Sequence, residues 1–177
     1  MSRLQHVAPD AAPAAAQALF AQIKQAVGKL PNAYATIGTL SPDSLGLLLN
    51  GDAVLGKGSL GKADIEAIRL AVSADNGCDY CVAAHSMVGK MVGLKADELS
   101  QLRAGEATGN AQRDALVRFT RLVNDSRGTV PAEAVQQILA AGYSETQVIE
   151  TLLAISLITF TNLVNRVNDT TVDFPKP

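Results

Sequence analysis

The chain has two cysteines, and both fall in the stretch Cys78-Asp79-Tyr80-Cys81-Val82-Ala83-Ala84-His85. A thiol pair at this spacing can be oxidised and reduced reversibly, and the thiolate is its reactive form. If the stretch is helical, positions i, i+3 and i+7 place Cys78, Cys81 and His85 on one stripe. Cys78 then lies in the first turn, where unpaired backbone N–H groups and the helix dipole favour an anion. That argues for a lowered pKa at Cys78. One turn on, His85 is placed to accept a proton from Cys81. The residues alone leave open which cysteine is the more acidic.

A fourth group joins through the turn that precedes the cysteines. Asn76-Gly77 is a strong turn signal. An antiparallel helical hairpin folded there sets Glu66, roughly ten residues before the turn, beside His85, roughly eight after it, at about 1.5 Å of rise per residue. A carboxylate at that point orients the imidazole and raises its basicity. The expected relay runs from Glu66 through His85 to cysteine, with Tyr80 a wall of the same pocket.

The elements that must hold these groups read as helices. Leu19, Ile23 and Val27 repeat every four residues after Pro13, and Gly28 stops that helix. Asn32 to about Thr39 is a short helix. Ser41 and Pro42 suit the next helix start, with Leu45, Leu48, Leu49 and Asp52 marking its faces. Ile65, Ile68 and Val72 form an apolar stripe from Ala63 to about Ala74, with Glu66, Arg69 and Ser73 on another face. The cysteine helix runs from near Cys78 to about Val92. Further helices cover Lys95 to Leu102, Ala111 to Asn124, the Val135–Leu139 region and Glu145 to about Asn168. The last is apolar around much of its girth from Leu152 to Phe160, interrupted by Asn162 and Asn165, so core or subunit contact is expected for it. No stretch alternates with period two. The expectation is an all-α fold of about eight helices in a single domain, residues 1–177.

Composition narrows the class. At 177 residues and 47% hydrophobic, the chain has material for a packed core. With 4% aromatic residues and no Trp, that core is built from aliphatic side chains. A net charge of −2 without a basic patch argues against nucleic acid. Met1 to Asp10 lacks the pattern of a signal peptide, and the apolar run 152–160 is about half a membrane span. The expected setting is the reducing cytoplasm, with no membrane association. Two cysteines at this spacing there point to catalysis or metal binding before a structural staple. His6 is read as incidental.

The pattern Glu66-x11-Cys78-x2-Cys81-x3-His85 resembles the AhpD-like branch of the carboxymuconolactone decarboxylase family. The similarity runs from about Leu30 to Phe174 and includes Asn162, Asn165 and Asp173-Phe174-Pro175. It implies a helical AhpD-like fold with the C-x-x-C at a helix N-terminus. It also implies a peroxidase that reduces hydroperoxides at the expense of a dithiol partner. By position Cys81 matches the attacking cysteine, Cys78 the one that resolves it as a disulfide, and Glu66 and His85 the proton relay. No cofactor is implied. Homo-oligomers, whether dimers, trimers or hexamers, are usual for such helices. Tyr80 stands where the best-characterised members carry a second histidine.

Other readings stand beside this one. Glu66, Cys78, Cys81 and His85 are all zinc-ligand types, but three on one helix strain a tetrahedral site. The cysteines also fit an inert core, a general disulfide oxidoreductase, or a non-enzymatic redox or metal-binding protein. The family's decarboxylase chemistry does not need a C-x-x-C.

Overall fold

The computed structural model describes residues 2–4 and 8–177; His6 lies outside them. Among the described residues the chain folds into nine α-helices and no strand, after a short 3-10 turn at Pro9–Ala11. The helices are α1 (Ala14–Val27), α2 (Asn32–Leu40), α3 (Pro42–Lys57), α4 (Lys62–Asp75), α5 (Asp79–Met91), α6 (Ala96–Ala104), α7 (Ala111–Ser126), α8 (Ala132–Ala140) and α9 (Glu145–Asn168). That is one helix more than the expected eight or so. The boundaries fall close to those read from caps and periodicity.

The centre is α4, which packs against α5, α6, α7 and α9. Its residues from Ile65 to Ser73 are buried, apart from the half-buried Arg69. Ala67 and Ala71 are fully buried, and their small side chains let α6 and α7 approach closely while Ile68 and Val72 face the main core. A second cluster, Ala16, Phe20, Ile23, Ile37, Leu45 and Leu48, ties the first three helices together. Gly38 is required there, because a Cβ would run into the Phe20 ring.

The junction between α4 and α5 sets the geometry of the cysteines. Gly77 adopts φ of 63°, the left-handed conformation that glycine reaches without steric cost. The Gly77 N–H donates to the Ala74 carbonyl and the Cys78 N–H to the Ser73 carbonyl, at 3.1 and 2.9 Å. This pair of bonds is the Schellman stop. One residue therefore closes α4 and opens α5, since Cys78 is also the N-cap of the next helix. Cys78 sits one position earlier than the first helical turn expected for it.

The long helix α9 reaches across α2, α3, α4, α5 and α7. By length and composition it is apolar enough to cross a membrane, which the shorter run 152–160 does not suggest. Its inward face nevertheless carries three buried asparagines, Asn162, Asn165 and Asn168.

Candidate active site

A cavity of about 190 Å³ lies between α2, α3, α4, α5 and α9. Leu48, Met87, Val88, Leu157 and Ile158 make much of its wall apolar, and Phe174 covers one side. Cys81, His85, Glu66, Tyr80 and Asn165 all line it. Cys78 does not, and is packed behind Cys81 with its sulfur 2.6 Å from the Cys81 sulfur. Both thiols are free and buried. A disulfide, at about 2.05 Å between sulfurs, is reached from there by a small side-chain shift.

The hairpin brings Glu66 and His85 together. His85 Nδ1 is 2.7 Å from Glu66 Oε2. Beside a carboxylate Nδ1 carries the hydrogen, which leaves Nε2 as the basic ring atom. The other carboxylate oxygen, Oε1, accepts from Arg69 at 2.8 Å, and Arg69 also donates to Asp52 at 2.6 Å. Glu66 is 3% exposed. Burial alone raises its pKa, but His85 and Arg69 together hold it below the ordinary value. For Asp52 burial wins, and its pKa is raised despite Arg69. The buried carboxylate of Glu66 is thus matched by two donors, as a buried charge requires.

The two cysteines are driven apart in acidity. The Cys81 thiol is held down to about 6. The largest cause is the hydrogen bond from Cys78; burial opposes it, and Asn165, His85 and Asn162 add to the lowering. Asn165 Nδ2 donates to Cys81 Sγ at 3.3 Å. Cys78 moves upward, first because its thiol donates to Cys81 and second because it is buried. The lowered pKa expected for Cys78 at the helix start is therefore corrected. The Cys78 sulfur does accept the Cys81 backbone N–H, at 3.4 Å, but two adjacent buried sulfurs hold one negative charge between them, and the amides and the imidazole favour Cys81.

His85 lines the same cavity as Cys81. No hydrogen bond joins it to Cys81 among the described residues, although it lowers the Cys81 pKa through space. The helical stripe brings both groups to one cavity.

Tyr80 is a wall with two polar contacts. Its hydroxyl donates to Asp173 at 2.7 Å and accepts from the Ala33 N–H at 3.1 Å. Burial, the largest cause, raises its pKa, and Asp173 adds to the rise, so it is no base. Its ring meets Phe174 edge-on at 5.4 Å, and Lys29 lies over the Phe174 face and bonds Asp173. The irregular tail is thereby seated on the cavity.

Four residues of the site do not stand out as such in the sequence. Arg69 and Asp52 read there only as helix-face positions, although an arginine three residues after a glutamate is a readable ion pair. Tyr34 lines the cavity, and burial pushes its hydroxyl up to about 12. Asn165 interrupts an apolar helix, and that is its signal. Among the described residues no three His, Cys, Asp or Glu side chains are grouped so as to hold a metal ion.

Residues 45–119, which carry the whole Glu66–His85 pattern, match the model of the carboxymuconolactone decarboxylase family. With the helical architecture, the chain resembles this family in its AhpD-like fold and in the stretch that carries the Glu66–His85 pattern. No curated protein matches its sequence. Among solved structures, it is similar to an AhpD-core, peroxidase-related protein from Ralstonia eutropha, at 21% identity and TM-score 0.88, over 97% of this chain and 92% of that one. A peroxidase-related protein from Silicibacter sp. matches at 18% identity and TM-score 0.84, over 96% and 91%. The debrominase Bmp8, in complex with 2,3,4-tribromopyrrole, matches at 19% identity and TM-score 0.80, over 98% and 94%.

Proposed function

We propose that the protein is a thiol-dependent peroxidase that reduces hydroperoxides through Cys81 and Cys78. The observation that carries this reading is the division of labour at the cavity. The acidic cysteine, Cys81, lines it, the less acidic one stands behind, and the Glu66–His85 pair lines the same space. The Cys81 thiolate attacks the distal oxygen of R–O–O–H. An S–O bond forms, the O–O bond breaks, and the alkoxide leaves with the proton that His85 Nε2 took up when the Cys81 thiol ionised. Cys81 is now a sulfenic acid. Cys78 gives up its proton and attacks the Cys81 sulfur, the S–O bond breaks, and water departs. A dithiol, protein or small molecule, returns the disulfide to two thiols. Such a donor belongs to a reducing compartment, which favours the cytoplasm. As with other AhpD-like proteins, a homo-oligomer is the expected working form.

A second reading rests on the apolar wall. A cavity of about 150 Å³ lined by aliphatic groups holds benzene, so this one accommodates a small flat ring. A thiolate attacks an electrophilic bromine much as it attacks a peroxide oxygen: an S–Br bond forms as the C–Br bond breaks, the ring carbon takes up a proton, and Cys78 then displaces bromide to form the disulfide. One structural neighbour is a debrominase. The two readings separate in one experiment. Reduced protein is mixed with cumene hydroperoxide or with a bromopyrrole, and free thiols are followed in time. The peroxidase reading predicts loss of two thiols per chain with the peroxide within seconds. Thiols that persist for hours in excess peroxide overturn it, and bromide release with the pyrrole alone favours the second reading.

A further inference from the structure

The amide of Asn165 is used on one side only. Its Nδ2 donates to Cys81 Sγ, while its Oδ1 is buried with no hydrogen-bond partner. The residue is 4% exposed and lines the cavity beside Cys81. A buried amide oxygen without a partner has lost its water and gained nothing in return, so an acceptor held idle there calls for an occupant. The oxidation proposed for Cys81 supplies one. The cavity lies on the Cys81 side and Cys78 behind it, so the oxygen transferred to sulfur arrives on the side that Asn165 lines.

We propose that Asn165 is a catalytic amide with two successive duties: Nδ2–H holds Cys81 as the thiolate, and Oδ1 then accepts the hydrogen of the Cys81 sulfenic acid. This rests on the peroxidase reading for its second duty and on the Cys81 contact alone for its first. An acceptor for S–OH favours the neutral acid over the sulfenate anion. The anion is the form that attacks a second peroxide and becomes an irreversible sulfinic acid. With its hydrogen on Oδ1, the S–OH oxygen faces the cavity and the sulfur is left open to Cys78 from behind. That is the arrangement in which the S–S bond forms as the S–O bond breaks.

The support around Asn165 fits a fixed amide. Asn162, one turn earlier on α9, is held by Asn76 at 2.9 Å and donates to Ser73 at 3.2 Å, both on the α4 side of the junction. The ionisable groups around Cys81 and its cavity are Cys78, His85, Glu66, Arg69, Asp52, Tyr34, Tyr80 and Lys29, and α9 contributes neutral amides. A change at Asn165 therefore leaves each of those groups in place.

Two variants in the full-length protein separate the duties. Asn165→Leu removes donor and acceptor at similar volume. Asn165→Asp removes the donor and keeps an acceptor. The thiolate is titrated by its ultraviolet absorbance, which needs no peroxide. The midpoint rises by about one unit or more in both variants; an unchanged midpoint in both overturns the first duty. For the second, Cys78→Ser background protein is loaded with one equivalent of hypochlorous acid, which turns the thiolate into the sulfenic acid and releases chloride. Excess hydrogen peroxide is then added, and the sulfinic fraction is read by mass. Asn165→Leu over-oxidises several-fold faster than either the background protein with Asn165 intact or the Asn165→Asp variant. Equal rates with Asn165 intact and in Asn165→Leu, or an Asn165→Asp protein as fast as Asn165→Leu, overturn the second duty. Because hypochlorous acid loads Cys81 without catalytic help, failure of the peroxidase reading and failure of this proposal are read separately.

Discussion

An ordinary thiol, with a pKa near about 8.5, is only a few per cent thiolate at neutral pH. At Cys81 three features change that balance. The neighbouring thiol donates to it, a buried amide donates to it, and the imidazole of His85 stands across the cavity. Its depressed pKa means that the anion is present above about 6 and is lost as pH falls through that value, together with the stability linked to it. The rate of thiol loss with peroxide is therefore expected to rise through about pH 6 and level off above it. Glu66 and His85 act on the same equilibrium and on the leaving group. Glu66→Gln and His85→Gln are expected to slow the reaction at least about ten-fold near neutral pH and much less at about pH 9, where solvent base supplies the thiolate. Stopped-flow rates at the two pH values test this, and equal slowing at both contradicts a proton relay. Arg69 and Asp52 extend the charge chain outward, so that Glu66 stays ionised in a buried place.

At the scale of the element, the two helices that matter most do different work. The α4–α5 hairpin sets Glu66, His85 and both cysteines, and its geometry depends on Gly77 closing one helix where Cys78 caps the next. The α9 helix supplies Asn162 and Asn165 from its buried face. Its other face carries Ile149, Leu163 and Val167, each about three-fifths or more exposed, and the α3 helix against it exposes Leu47 and Val54. Leaving such side chains in water forgoes about 1.5–3 kcal/mol of burial for each. Exposed apolar side chains on two neighbouring helices are expected to be covered by a second copy. Sedimentation at micromolar concentration is expected to give an oligomer that Leu163→Glu shifts toward the monomer. A wild-type monomer at every concentration contradicts the expectation.

Across the whole molecule, what can be read from sequence is local. Helix starts and stops, the Asn76-Gly77 turn and the meeting of Glu66 with His85 follow from spacing within some twenty positions. The contact of Asn165 with Cys81 spans 84 positions, and no periodicity predicts which face of α9 meets which end of α5. The same holds for Tyr34, which reaches the cavity from a helix far earlier in the chain. The relative acidity of the cysteines is left open by the sequence for a related reason. Set against its own backbone alone, Cys78 is the more acidic thiol, whereas the deciding groups come from across the fold and from the second sulfur. Asn162 and Asn165 are visible as polar breaks in an apolar helix, but their purpose depends on what packs against them.

The central claim is that Cys81 receives the peroxide oxygen and Cys78 resolves it. The most direct measurement is the mass of each single-cysteine variant after one equivalent of cumene hydroperoxide in the presence of a sulfenic-acid trap. Cys78→Ser is expected to carry one trapped adduct on Cys81, while Cys81→Ser stays unmodified. An adduct on Cys78 in Cys81→Ser with none in Cys78→Ser contradicts the account.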